Sequence, residues 1–266
     1  MVQRRKDTHN ISNTLYITHQ TPLSGIVSVQ CHILNRMVNQ MSNLILRRFI
    51  QIALTWFFQA VVLFVSVGNL TWKWAWVYLI AYGAMIVMNA IVLLPHHKEL
   101  IARRAETKAT AEGWDKIVGV AYGILSILVL VVAGLDARFG WTAPMALWRH
   151  IIGLVLMVGG FGVFTWAMLH NPFFSTVVTV ATEDGHTVAD TGPYRIMRHP
   201  GYAGSTLSLL ATPILLGALW ALIPMALAFA ALVVRTAMED RTLHAKLPGY
   251  ADYAARVKWR LIPGIW

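Results

Sequence analysis

The stretch "AGSTLSLLATPILLGALWALIPMALAFAALVVRT", Ala203 to Thr236, decides the topology of this chain. A helix needs about 20 residues to cross the hydrocarbon core of a bilayer. The run has 34 residues, too many for one crossing and few for two. Pro213, Gly217 and Pro224 interrupt it, and these residue types punctuate apolar runs at turns and helix ends. We read a tight hairpin of two helices turning near Gly217 to Trp220. That reading brings the polar segments on either side, 170–202 and 236–266, to the same membrane face.

The rest of the chain supports a lipid environment. It is 57% hydrophobic and 13% charged, with a mean hydropathy of +0.57. Soluble domains carry about a quarter charged residues. Four more apolar stretches, at about 50–68, 74–95, 116–135 and 148–169, are long enough to span. The fold class expected is therefore all-α: a polytopic membrane protein with about six spans, the last two a short hairpin, followed by C-terminal cytoplasmic helices. A net charge of +10 in a soluble protein would suggest nucleic acid. Here cytoplasmic loops and anionic lipid headgroups account for it, and no nucleic-acid partner is expected. Of the 22 lysines and arginines, all but Lys73, Arg138 and Arg149 fall in the even-numbered loops or at the ends. Basic residues concentrate on the cytoplasmic side, so both termini are expected there. Trp72, Trp74, Trp76, Trp141 and Trp148 suit an aromatic belt at the other interface. Gly159, Gly160 and Gly162 suit close packing of the fourth span. The one cysteine, Cys31, cannot form an intrachain disulfide.

Three regions are expected. Residues 1–42 form a polar tail, disordered or preceding a true start at Met41, with no apolar signal-peptide core after "MVQRRKDTHN". Residues 43–169 form a four-span membrane region, and 170–266 the functional region with its hairpin at 203–236.

The densest polar and aromatic cluster is "DTGPYRIMRHPGY", Asp190 to Tyr202. Its charges alone also suit ordinary positive-inside arginines. The spacing adds more: "GPY" is a turn, and "RHPGY" puts Pro200 near the first turn of the next helix. Free N–H groups at such a helix start receive anions. A second feature is Glu239–Asp240. It is either half of a surface pair with Arg235, four residues earlier, or an acidic pair for a cationic or hydroxyl-bearing ligand. A third is Tyr250, Tyr253 and Arg256 on one helical face, which also suits an interfacial amphipathic helix. His96–His97 lacks partners at metal-ligand spacing, so no metal is expected. There is no GxGxxG and no P-loop. Charges within the spans are too sparse for an ion pump, and Asn89, deep in the second span, reads as a helix–helix contact.

In order, "GPYRIMRHPGY", the apolar hairpin, "RTAMEDRTL", "LPGYADYAARV" and "RLIPGIW" resemble the bacterial form of the isoprenylcysteine carboxyl methyltransferase family. The resemblance covers about 170–266, and "GWDK" and "AGLDARFGW" look like its upstream part. It implies an S-adenosylmethionine-dependent methyltransferase in the bacterial inner membrane, without a Rossmann domain. The cofactor would be held by Gly192, Pro193, Tyr194, Arg198, His199, Pro200, Tyr202 and Glu239. Arg256 would orient the acceptor, and Glu239 would fix the cofactor or Arg256. Where the family has a second glutamate this chain has Asp240, one methylene shorter. The partners implied are membrane lipids and a lipophilic acceptor: a prenylcysteine-like carboxylate or a thiol. A phospholipid amine is an alternative acceptor, and an NADPH-dependent reductase of the sterol reductase kind an alternative chemistry. Transfer to an anion neutralises charge, so such an enzyme needs positioning and water exclusion more than acid–base groups.

Overall fold

The expected hairpin is present, and its first arm is short. Helix α6, Pro200–Leu216, ends at Gly217, whose φ of 72° is left-handed. Gly217 and Ala218 donate their N–H groups back to Ile214 and Pro213 carbonyls at 3.2 and 2.9 Å, as a glycine-ended helix does. One 3-10 turn, Leu219–Ala221, leads into α7, Leu222–Lys246. At 17 residues α6 is about 25 Å long. The computed structural model describes residues 23–95, 97–104, 112–180 and 182–266, and within them five helices, not six, are long and apolar enough to cross a membrane. The reason is length. Pro200 starts α6 late, and the helix is enclosed by its neighbours: Ala211, Thr212, Pro213, Leu215 and Leu216 are all buried.

The five comprise Val38–Val67 within α1 (Leu23–Val67), α2 (Lys73–Leu93), α4 (Gly113–Phe139), α5 (Leu147–Leu169) and the Leu219–Lys246 segment that contains α7. Two short helices, α3 (Lys98–Arg103) and α8 (Tyr250–Arg256), complete the set, with no strand among the described residues. The chain divides into two compact units, Met1–Ser42 and Asn43–Trp266. In the first, residues 23–42 are helical, within the stretch expected to be a polar tail, disordered or preceding a start at Met41; residues 1–22 and His96 lie outside the described residues. The second unit buries Leu63, Leu79, Val129, Met157, Leu215 and Met225 and turns Val65, Ile80, Ile117 and Val155 outward. That outward apolar surface fits a lipid solvent, and the protein is an integral membrane protein.

Glycines set the tightest helix contact. A Cβ on Gly160 of α5 would lie 2.6 Å from the Gly204 carbonyl of α6, and one on Gly153 2.4 Å from the Leu215 nitrogen. Gly159 and Gly162 face open space, so Gly160 alone of the expected trio carries the packing. Asn89 donates to Thr165 Oγ1 at 2.9 Å, the interhelical contact expected of it. At the hairpin turn, buried Asp136 accepts from the Thr142 N–H and hydroxyl, both at 2.7 Å, and from the Trp220 N–H at 3.1 Å. This carboxylate fastens the turn to the end of α4 and leaves the opposite end of the bundle to the polar segments.

Candidate functional site

The polar end is organised around Asp240. Helix α7 runs past its apolar part, and Asp240 points inward with 1% of its surface exposed. One carboxylate oxygen accepts from Arg198 Nη1 at 3.1 Å, His199 Nε2 at 3.4 Å and the Tyr250 hydroxyl at 2.9 Å. The other accepts from Arg260 Nε at 2.8 Å. A buried carboxylate is stable only when its lone pairs are filled in this way. Asp240 thereby joins 198–199, α7, α8 and the C-terminal tail. The backbone repeats the junction: Arg198 and His199 donate N–H bonds to the Trp259 and Arg260 carbonyls at 2.8 and 2.9 Å. The tail closes on itself through the Trp266 carbonyl, which accepts from Arg260 and Leu261 at 2.9 Å.

Glu239, the neighbouring acid, faces the other way and accepts from the Tyr202 hydroxyl. The Tyr202 ring stacks on His199 with centroids 5.9 Å apart and lies 5.3 Å from the Arg235 guanidinium. Arg235 is in turn held by Asp115 at 2.7 Å and by the Thr176 carbonyl at 2.9 Å, and Asp115 also accepts the Val178 N–H at 2.7 Å. Asp115 of "GWDK" thus ties the start of α4 to α7 and to Thr176 and Val178 in the segment after α5.

Between these parts lies a cavity of about 100 Å³. Its walls come from all three segments: Phe174 from 171–189; Tyr194, Arg198, His199 and Tyr202 from the histidine–proline stretch; and Glu239, Tyr250 and Tyr253 from the C-terminal helices. Burial pushes the phenols of Tyr194, Tyr250 and Tyr253 above the ordinary tyrosine range, so all three stay neutral. Tyr253 donates to the Tyr194 carbonyl at 2.8 Å. Arg198 Nε is buried without a partner among the described residues.

Five of the expected site residues, Tyr194, Arg198, His199, Tyr202 and Glu239, line this one cavity. The other three expected cofactor residues shape it without lining it. Gly192 takes a φ of 55°, with His170 where its Cβ would be; Pro193 begins a 3-10 turn; Pro200 begins α6. Arg256 stands apart on the outer face of α8, its side chain 68% exposed, in a 3.6 Å ion pair with Asp190. The arginine that reaches inward is Arg260. Segment 171–189 carries no motif that would have marked it, and the Asp115–Arg235 pair joins residues too distant in sequence to be matched by spacing.

Residues 148–247 match the phospholipid methyltransferase family. The chain is also 30% identical over 119 residues to the cobalt-zinc-cadmium resistance protein CzcN of Cupriavidus metallidurans, an alignment covering 44% of this chain. The chain spans about half the length, 49%, of that curated relative. The matched segment runs from α5 through α6 and α7 to Leu247, and so holds the histidine–proline stretch, Glu239 and Asp240. Over residues 148–247 this chain is therefore similar to the phospholipid methyltransferase family, a group of membrane methyltransferases that takes in the isoprenylcysteine carboxyl methyltransferase-like enzymes.

Proposed function

We propose that the protein transfers a methyl group from S-adenosylmethionine to the carboxylate or thiol of a lipophilic acceptor, at the cytoplasmic face of a bacterial inner membrane with both termini cytoplasmic. The observation that carries this reading is the meeting of Tyr194, His199, Tyr202 and Glu239 around one cavity at the end of a membrane bundle.

The donor set suits the cofactor. Glu239 offers a carboxylate to its ammonium or ribose hydroxyls. The orphaned Arg198 Nε offers a buried donor to its carboxylate. The rings of Phe174, Tyr194 and Tyr250 offer faces to adenine and to a cationic centre. At about 100 Å³ the cavity is smaller than the roughly 300–1,000 Å³ usual for ligand pockets. When bound, S-adenosylmethionine supplies an electrophilic methyl on a sulfonium. The chain's own work is then positional. Asp240 fixes Arg198 and His199, Tyr202 holds Glu239 in register, and the buried aromatic walls exclude water. A carboxylate acceptor is already ionised and needs no base. Arg256 would meet such an acceptor only at the water-facing rim, after exchanging Asp190 for it.

A second reading, methylation of a phospholipid amine, is favoured by the description of the matching family. An amine must shed a proton, and His199, whose Nε2 donates to Asp240 at 3.4 Å, is a candidate to take it on its other ring nitrogen. The two readings separate when membranes containing the protein are given methyl-labelled S-adenosylmethionine and the extract is treated with base. Label released as methanol marks a carboxyl ester and supports the first reading. Base-stable label in phospholipid supports the second. Absence of transfer to any membrane component, against membranes lacking the protein, would overturn both.

A further inference from the structure

A second and larger cavity, about 380 Å³, opens inside the bundle between α1, α2, α4, α5 and α6. Its wall is mostly apolar, with Ile52, Ile86, Leu93 and Phe161 among the lining residues. Two arginines also face it, Arg48 from α1 and Arg104 at the end of α3. Among the described residues neither forms an ion pair. Arg48 donates to Gln51 Oε1 at 3.4 Å, a long and neutral contact. Arg104 Nη1 is buried with no hydrogen-bond partner among the described residues. A guanidinium in an apolar enclosure without a counter-charge is unfavourable, and such residues in membranes commonly mark a ligand path. Snorkelling does not account for Arg104. A snorkelling side chain reaches out to the headgroups, whereas this guanidinium lies 5.2 Å from the Phe174 centroid and 5.9 Å from that of Phe164, within the bundle. Burial, and after it the like charge of Arg48, push its pKa below the ordinary arginine value.

Position gives the orphan charge a meaning. Phe164 lines the large cavity and Phe174 the small one, and the two rings meet edge to face at 5.4 Å. Arg104 lies over that partition. On the α6 side, Ser205 of the large cavity donates to the Tyr202 carbonyl, one turn from the Tyr202–Glu239 pair. The Phe164–Phe174 and Ser205–Tyr202 contacts therefore bring the linings of the two cavities together.

We propose that the intramembrane cavity binds an amphiphile with an anionic head, a carboxylate or a phosphate, with Arg104 as the first contact, Arg48 as the second and the apolar tail among Ile52, Leu93 and Phe161. The inference rests on the methyltransferase reading of the neighbouring cavity, for which this amphiphile is the acceptor. It assigns recognition of the head to residues far in sequence from the C-terminal motifs. The planar guanidinium fork suits either oxyanion bidentately.

The test uses the full chain in a neutral maltoside micelle and a fluorescent fatty acid, with the matched fatty alcohol and alkyl phosphate as competitors. The two anions are expected to bind at least about tenfold more tightly than the alcohol, the worth of one charge-assisted hydrogen bond. Arg104→Gln should bring anion and alcohol within about twofold, and Arg104→Lys should retain part of the preference, as a point charge without the fork does. Preference for one anion over the other identifies the natural head and supports the proposal either way. Equal binding of alcohol and fatty acid by the wild-type protein would overturn it, and this arm needs no folded variant. So would an Arg104→Gln protein that keeps the full preference. S-adenosylmethionine affinity, measured on the same samples, separates the two failures. Normal cofactor binding without anion preference rejects this proposal alone. Intact anion preference without cofactor binding rejects the methyltransferase reading.

Discussion

Replacing Asp240 by asparagine keeps its size and removes its charge. In the protein this carboxylate accepts from Arg198, His199, Tyr250 and Arg260 at 2.8–3.4 Å. An amide can accept through one oxygen only, and its NH2 group would face either Arg260 Nε or the donors on the other side. Arg198, with 8% of its side chain exposed, would keep a buried charge with no counter-ion. Breaking a buried pair from one side costs about 3–5 kcal/mol. Arg260 is about a third exposed and adds little to that, because solvent screens it. The lower end, about 3 kcal/mol, is therefore expected for Asp240→Asn. At about 2–4 °C per kcal/mol for a chain of this size, the thermal midpoint should fall by about 6–12 °C. The assay is a thermal melt of the detergent-purified protein followed by intrinsic tryptophan fluorescence, alongside Asp240→Glu. The glutamate keeps the charge; it should lose less, about 1–3 kcal/mol from the added methylene in a filled space. An Asp240→Asn protein melting within about 2 °C of wild type, below the shift expected for 1 kcal/mol, would refute the hub role.

Three more outcomes follow from the same geometry. Asp115→Ala leaves Arg235 unpaired and the Val178 N–H without its acceptor, and should cost about 3–5 kcal/mol in the same melt. Gly160→Ala places a Cβ 2.6 Å from the Gly204 carbonyl and must part α5 from α6, at about 1–3 kcal/mol, while Gly159→Ala, facing open space, should leave the midpoint unchanged. Tyr202→Phe removes the donor that holds Glu239. It should weaken S-adenosylmethionine binding about tenfold in calorimetry; unchanged affinity would remove Glu239 positioning from the account.

The sequence made the hairpin legible because Gly217 can take the left-handed conformation that ends a helix, and α6 stops there, one turn after Pro213. It did not reveal that α6 is too short to count as a sixth full span. Its length is set by Pro200 at its start and Gly217 at its end, and its burial is something a hydropathy profile cannot separate from exposure to lipid. The glycine trio suggested a close contact, but only a three-dimensional neighbour tells Gly160 from Gly159 and Gly162. In the site, the histidine–proline stretch and Glu239 were legible because their residue types and order are unusual at a membrane surface. Asp240 was legible as an acid and not as a hub, since its partners Arg198 and Arg260 lie 42 and 20 residues away along the chain. Arg256 and Arg260 look alike in sequence, each basic and near the C-terminus. The fold distinguishes them: α8 ends at Arg256, and the non-helical tail then swings Arg260 back onto Asp240. Arg104 gave no signal at all, because an arginine in the pair Arg103–Arg104 after a short helix looks like any loop charge until its neighbours are known.

The most direct measurement is isothermal calorimetry of S-adenosylmethionine with the purified full-length protein, comparing wild type, His199→Ala and Glu239→Ala. His199 and Glu239 come from segments on either side of the helical hairpin and line the same cavity. Saturable binding by wild type, weakened at least about tenfold by each substitution, is the result expected if both segments hold one methyl donor. Binding that is absent in wild type, or indifferent to both substitutions, would contradict it.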